Sequence, residues 1–139
     1  MTKLREMPIY KISQAAKSAG LPVKTVRYYA NIGLVKPSSR SDAGYRLYSP
    51  LDIAKLEFIG RARRFSFSIE QCRDLLGLYE NRARPSAEVK RITLEKIDEI
   101  DQKLAELHTL RDALLGLADS CHGDSRPDCP IIGALAGAG

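Results

Sequence analysis

Tryptophan is absent, and aromatic residues make up only 6% of the 139 positions. An aromatic-lined pocket for a sugar or a drug therefore has little material to draw on. No apolar run approaches the ~20 residues that a membrane-spanning helix needs. The opening stretch MTKLREMPIYK is charged and has no apolar centre, so no secretory signal is expected. Cysteine is scarce as well, and three thiols do not make a disulfide framework. The expected compartment is the cytoplasm, where reducing conditions leave thiols free for metal or redox chemistry. Nucleophile elbows, phosphate loops and paired carboxylates in an evident pocket are missing too. With His108 and His122 as the two histidines, an enzyme is not expected.

What is present is an ordinary globular balance, 44% hydrophobic and 28% charged, in a length suited to about one domain. The charge is unevenly placed. Residues 1–70 carry 13 Lys and Arg against 5 Asp and Glu, whereas residues 71–139 carry 9 against 12. A basic half joined to a mildly acidic half suggests a nucleic-acid surface on the first and another task on the second. A basic face that merely keeps the protein soluble is the plainer alternative.

Local patterns sharpen this. Residues 13–19 read as a short helix with Ser13 as its N-cap and Gly20 as its C-terminal glycine. Pro22 is placed to start a second helix, which Gly33 closes. Two short helices joined by so few residues form a helix-turn-helix layout, in which the second helix enters the major groove. Val23, Val26 and Ala30 make a small apolar stripe on that helix. Lys24, Arg27, Tyr28 and Asn31 share another face, where cations, a phenol and an amide meet phosphates or base edges. Thr25 lies beside them. The run SSRSDAGYRLYS then reads as turn chemistry followed by strand alternation, a small hairpin or wing with Arg40 and Arg46 at its flanks and Tyr45 and Tyr48 alongside.

A third helix should begin at Ser49-Pro50, with Asp52 in its first turn and an Arg61, Arg63, Arg64 cluster at its end. A Ser68–Gln71 capping box opens a fourth, whose buried face is read as Ile69, Cys72, Leu75, Leu76 and Tyr79. From Ala87 to about Ala118 apolar residues recur every three to five positions, without proline. A helix of ~32 residues would extend ~48 Å, too long to bury its stripe within so small a domain. A coiled coil with a second copy is the natural solution, although Arg111 falls on the seam. The boundaries expected are 8–80 for the winged helix-turn-helix, 86–118 for the dimerisation helix and 119–139 for a C-terminal loop and short helix.

Cys121 and Cys129 lie eight positions apart in a turn-rich loop. Thiolates are soft ligands that select Cu(I), Zn(II) and similar ions. A structural zinc site wants four ligands, and His122, Asp124 and Asp128 offer further donors. Two thiolates alone suit a monovalent d¹⁰ ion in a linear geometry. A helix starting at Pro130 would aim its N-terminal amides at Cys129 and favour the thiolate. A reversible disulfide, or two incidental thiols, remain alternatives. Ile131, Ile132 and Leu135 are apolar enough to cover the loop, and Cys72 is read as a core residue.

The segment TVRYYANIGLVKPSSRSDAGYRLYS resembles the signature of the MerR family of transcription regulators, matching at Thr25, Val26, Arg27, Tyr28, Tyr29, Gly33, Leu34, Pro37, Arg40, Gly44, Tyr45, Arg46 and Tyr48. FIGRARRFSFSIEQ continues it, with Ala30 where glutamate is usual and Phe65-Ser66 where Leu-Gly is common. The ending SCHGDSRPDCPII, a C-x₇-C followed by P-I-I, resembles the copper efflux regulators of that family, as does SAEVKRITLEKI. The resemblance implies a mainly α fold, with a winged helix-turn-helix followed by an antiparallel coiled coil. It implies a homodimer on double-stranded promoter DNA that activates RNA polymerase by distorting the promoter. It implies Cu(I) on Cys121 and Cys129, with Ag(I) or Au(I) as chemical mimics. Ser86 then stands where divalent-ion sensors of the family place a cysteine, and Lys90 offsets the site's negative charge. The expected DNA contacts are Lys24, Thr25, Arg27, Tyr28, Arg40, Tyr45, Arg46, Arg61 and Arg64. The alternatives are a redox-responsive regulator using a Cys121–Cys129 disulfide, or a divalent-metal sensor.

Overall fold

The computed structural model describes residues 8–127 and 129–137. It is mainly helical and divides into two compact units, the boundary falling between Ile92 and Thr93. In chain order the elements of the first unit are β1 (Tyr10–Lys11), α1 (Ile12–Ala19), α2 (Val23–Asn31), β2 (Ser39–Arg40), β3 (Arg46–Tyr48), α3 (Pro50–Arg64) and α4 (Ile69–Glu80). The helix α5 (Ser86–Ser120) starts in this unit and continues into the second, which ends with α6 (Pro130–Leu135).

The first helix begins one residue before the expected cap. Lys11 occupies the cap position in an extended conformation, and Gln14 Oε1 accepts the Lys11 amide at 3.0 Å. Ser13 is therefore inside the helix, because a strand ends at Lys11 and the glutamine satisfies the entering amide. Gly20 ends α1 with φ 70°, a left-handed conformation that glycine adopts without steric penalty. Pro22 is the N-cap of α2, not its first helical residue, and its carbonyl accepts the Thr25 and Val26 amides.

The small sheet is antiparallel in the order β1-β3-β2, with Tyr10 opposite Tyr48 and Arg40 opposite Arg46. A tight turn joins β2 to β3, where the Gly44 amide donates to the Ser41 carbonyl at 2.8 Å. The wing is anchored from below by Asp52. Its carboxylate accepts the Ser38 and Ser49 amides, each at 2.9 Å, and the Ser38 hydroxyl. Asp52 is 5% exposed, so one buried carboxylate ties the base of the wing to the first turn of α3. The Ser49 and Ser68 caps form as expected, each hydroxyl accepting an amide at 3.1 Å.

Ala15, Ala16, Val26, Tyr29, Val35, Tyr48, Leu56, Ile59 and Cys72 form the centre of one hydrophobic core. Tyr29, absent from the expected stripe of α2, is buried together with Val26, whereas Val23 and Ala30 are half-buried. The fourth helix buries Cys72, Leu75 and Leu76. Tyr79 departs from the expected face: it is 44% exposed and stacks on Phe58 at 4.7 Å between ring centroids. It lies one turn beyond the last buried residues, where a half-buried ring is available but the core has ended.

In the second unit α5 carries a continuous apolar stripe that no described residue of that unit covers. Ile97, Ile100, Leu104, Leu107, Leu110 and Leu114 are all exposed, as are Leu94 and Leu115.

Candidate nucleic-acid interface and thiol pair

Three segments converge on one basic face of the first unit. The start of α1, the exposed side of α2 and the wing enclose a cleft of about 530 Å³ lined by Lys11, Ser13, Arg27, Arg40, Tyr45 and Arg46, among others. Four cations therefore border one concavity, with the N-terminal amides of α1 beside them, the arrangement that favours an anionic group. Lys24, Arg27 and Tyr28 are exposed on α2, and Thr25 is half-buried between them. Tyr28 presents its ring 49% exposed and lies 6.0 Å from the buried Tyr29. Burial raises the Tyr29 phenol above its ordinary pKa against the opposing pull of the Arg63 guanidinium.

The wing arginines are oriented by short bonds. Arg40 Nη1 donates to the Gly44 carbonyl at 3.0 Å, folding over the wing tip. Arg46 Nη2 donates to Asn31 Oδ1 at 2.8 Å, joining the wing to the end of α2. Tyr45 stands 68% exposed at the tip, whereas Tyr48 is fully buried. Among the described residues its hydroxyl has no hydrogen-bond partner, and burial raises its pKa. The alternation read in the sequence thus gives one tyrosine to solvent and one to the core.

The α3–α4 corner adds further positive charge. Arg61 and Arg64 are exposed; Arg61 forms an ion pair with Glu57 at 3.3 Å, a solvent-facing i,i+4 contact of small strength. Arg63 donates to the Phe67 carbonyl at 2.8 Å and so shapes the corner itself. Phe65 is 71% exposed, and Ser66 adopts φ 67°, the left-handed region. The corner where Phe65-Ser66 stands in place of the common Leu-Gly therefore keeps a glycine-like backbone with a serine in it.

Two polar hubs escaped sequence reasoning. Asp52 was legible as a favourable charge in a first turn, but not as the acceptor for Ser38. Arg73 of α4 donates to the Ile32 and Gly33 carbonyls at 3.2 and 3.4 Å, across forty residues of chain. Neither partner has a local sequence signal, since each contact is made by tertiary folding.

In the second unit the Cys129 thiol donates to Cys121 Sγ at 3.6 Å. Both sulfurs are half-buried and free, far beyond the ~2.05 Å of a disulfide. Pro130 starts α6 with Cys129 at its N-cap, as expected. The Cys129 thiol is held below its ordinary pKa, first by the Ile132 amide, then by Cys121 and the Ile131 amide, with desolvation opposing. A helix N-terminus therefore stabilises one thiolate of the pair. Two thiolate–metal bonds of about 2.3 Å, the zinc value, would span ~4.6 Å in line, so side-chain rotation of roughly an ångström makes the pair fit a two-coordinate soft ion.

The other loop donors sit apart from this pair. Asp124 is held by Arg126 at 2.8 Å, and His122 is exposed. Among the described residues no group of three His, Cys, Asp or Glu side chains is placed to hold an ion; Asp128 lies outside the described residues. Ile132 and Leu135, expected to cover the loop, are 63% and 79% exposed. A six-residue helix offers them no apolar surface within the described part of its unit. Ser86 is the first residue of α5 and Lys90 follows one turn later, both exposed in the first unit.

A helix-turn-helix, a wing and a basic cleft define the class: a DNA-binding protein. The comparison with known proteins narrows this. The MerR HTH family regulatory protein model matches residues 10–78, and the model described as MerR, DNA binding matches residues 53–117. The HTH-type transcriptional regulator HmrR of Rhizobium leguminosarum bv. viciae is 49% identical over 125 residues, covering 90% of this chain and 96% of that protein. Heavy metal-dependent transcription regulator 2 of Rhizobium meliloti is 44% identical over 125 residues, covering 90% and 85%. Among solved structures, PbrR691 from Ralstonia metallidurans CH34, crystallised with lead(II), superposes with a TM-score of 0.78 at 30% identity, covering 91% of this chain and 98% of that one. The chain belongs to the MerR family of helix-turn-helix transcription regulators. No helix among the described residues is long and apolar enough to cross a membrane.

Proposed function

We propose that this chain is a cytoplasmic, metal-responsive activator that binds promoter DNA as a homodimer and answers to Cu(I), with Ag(I) and Au(I) as chemical mimics. The observation that carries the reading is the Cys121–Cys129 pair, two sulfurs 3.6 Å apart with the first amides of α6 turned toward one of them. Such a pair supplies soft, anionic donors, and a monovalent d¹⁰ ion needs no third ligand. The names of relatives support metal sensing in general: one is heavy metal-dependent and one was crystallised with lead(II). Serine at position 86, where a third thiolate would serve a divalent ion, favours the monovalent one, and Lys90 would offset the net negative charge of the filled site.

In this reading α2 reads the major groove through Lys24, Thr25, Arg27 and Tyr28. Arg40, Tyr45 and Arg46 of the wing and Arg61 and Arg64 of the α3–α4 corner hold backbone phosphates. The exposed α5 stripe pairs with a second copy in an antiparallel coiled coil, comprising a dimerisation helix over 86–118 between the DNA-binding domain of 8–80 and the loop of 119–139. The ion acts by stabilising one pose of the two DNA-binding heads over another, since equal affinity for both poses shifts nothing. The changed pose deforms the duplex, and RNA polymerase reads the deformed promoter.

The test is anaerobic titration of the reduced dimer with Cu(I), paired with metal-dependent transcription from a bound promoter. Cys121→Ser and Cys129→Ser should each abolish induction while leaving DNA binding intact. Induction by copper that survives either substitution removes the site. Induction by oxidant without metal, with loss of both free thiols, would establish the disulfide reading instead, and induction by Zn(II) in preference to Cu(I) the divalent one.

A further inference from the structure

The end of α2 is held in an unusual way. The amides of Ile32, Gly33 and Leu34 already close on the carbonyls of Tyr28, Ala30 and Tyr29, and the helix end carries the partial negative charge of a C-terminus. Arg73, from the first turns of α4, holds the two residues that follow the helix, the C-cap Ile32 and Gly33. Nη2 reaches the Ile32 carbonyl at 3.2 Å and Nη1 the Gly33 carbonyl at 3.4 Å. Glu70, one turn earlier on the same helix, stands 4.0 Å from Nε, a solvent-facing contact of small strength. On another side Arg46 grips Asn31 at 2.8 Å. The end of α2 is thus fixed by two guanidinium groups arriving from two different elements.

The remaining attachment of α2 is mainly apolar, through Val26 and Tyr29, with the Tyr29 phenol also hydrogen-bonded by the Arg63 guanidinium. Apolar packing resists separation and gross rotation, but it is non-directional and defines the fine rotational pose less sharply than hydrogen bonds do. Hydrogen bonds are directional. Rotation of α2 by even part of a turn would move Lys24, Arg27 and Tyr28 off the DNA-facing side together. We infer that Arg73 is a positioning residue for DNA recognition: by binding the two carbonyls it sets the rotational pose of α2, and so governs sequence discrimination without touching DNA. The inference rests on the proposed role of α2 as the reading helix.

The test separates pose from contact. The full-length wild-type chain is used to select a duplex from random-sequence DNA. Affinity for that duplex, and for a shuffled duplex of the same composition, is then measured across salt concentrations. Arg73→Ala should weaken the selected duplex by about tenfold or more, the usual worth of charged hydrogen bonds. It should leave the shuffled duplex and the salt slope unchanged, because no phosphate contact is lost. Arg73→Lys, which keeps the charge and a donor, should recover much of the discrimination. Arg73→Gln, which keeps a donor without the charge, should fall between, and either one serves should the alanine variant fail to fold by circular dichroism. Arg27→Ala is the contrast: it should weaken both duplexes and lower the salt slope by about one. An Arg73→Ala loss shared by both duplexes with a shallower slope would show a phosphate contact, and undiminished discrimination in a folded variant would show that packing alone sets the pose; either overturns the inference. A wild-type chain that enriches no sequence would remove the DNA-reading function itself, an outcome separate from any behaviour of Arg73.

Discussion

Leu56 and Leu107 are the same residue type on helices of the same chain, and their surroundings could hardly differ more. Leu56 is fully enclosed by the core of the first unit, whereas Leu107 is 60% exposed on the stripe of α5. The first unit closes on itself: two helices, a small sheet and two further helices share one set of buried side chains. The second has an equally regular apolar pattern with no described residue of its own unit to cover it. A hydrophobic stripe of that length left in water is an interaction surface, and under the proposed function a second copy occupies it.

The largest expected effect breaks this comparison directly. Leu56→Ala should lower the unfolding free energy by about 2–5 kcal/mol, as large-to-small changes in a filled core do. Leu107→Ala should leave the unfolding of the first unit almost unchanged and raise the dimer dissociation constant instead. Urea unfolding and sedimentation at graded concentrations separate the two. A Leu107→Ala chain with unaltered self-association would place the seam elsewhere on α5.

Next comes Asp52, the polar counterpart of Leu56. Asp52→Ala strands the Ser38 and Ser49 amides, and a buried unsatisfied donor costs about 1–3 kcal/mol. The loss should be local in part. Hydrogen exchange at the Ser38 amide and through β2 should accelerate more than in the core of α3. Uniform acceleration would show that the carboxylate supports the whole unit and not the wing in particular.

These two sites also mark how much was legible beforehand. The two short helices, the wing and the caps of α3 and α4 were readable because their signals are local: Gly20, Gly33 and Gly44 adopt φ of 70°, 73° and 88°, and Ser49 and Ser68 close boxes within three residues, whereas the caps of α1 and α2 fell on Lys11 and Pro22. The strand β1 was not, since two residues carry no alternation and exist as a strand only through Tyr48 and Leu47. The reach of Asp52 to Ser38 and of Arg73 to Ile32 was invisible for the same reason: polar contacts between distant segments leave no periodic trace. The site divided similarly. The spacing of Cys121 and Cys129 and the proline that starts α6 were readable, whereas the covering role expected of Ile132 and Leu135 required a surface that the sequence pattern could not supply.

Ser66 offers a smaller effect on the corner between α3 and α4. A non-glycine residue in the left-handed region is disfavoured by about 1–2 kcal/mol, partly offset by the greater freedom glycine has when unfolded. Ser66→Gly should therefore stabilise the first unit by roughly 0.5–1 kcal/mol, read as a rise in urea midpoint with unchanged slope. A fall would mean that the serine hydroxyl makes a contact worth more than the backbone strain.

The smallest effect concerns the open unit, where stability is a poor readout and reactivity a good one. The Cys129 thiol is held below its ordinary pKa, first by the Ile132 amide. Between that lowered value and the ordinary one, the folded chain binds fewer protons than the unfolded chain. The associated stabilisation is therefore present above the ordinary thiol pKa and disappears as pH falls through the lowered value. Alkylation of the reduced, metal-free protein follows the thiolate, so Cys129 should begin to react with iodoacetamide at lower pH than an unstructured cysteine peptide. Ile132→Pro removes the leading amide donor while leaving both sulfurs in place; the lost amide is one of the helix's orphan donors, although the ring disfavours a helical Ile131 before it. The pH profile of Cys129 alkylation, followed by mass spectrometry of digests, should then shift upward toward that of the peptide. An unmoved profile would assign the activation to Cys121, and Cys121→Ala would show the shift instead. The two variants together decide whether the thiol pair is prepared by the helix start or by its own proximity.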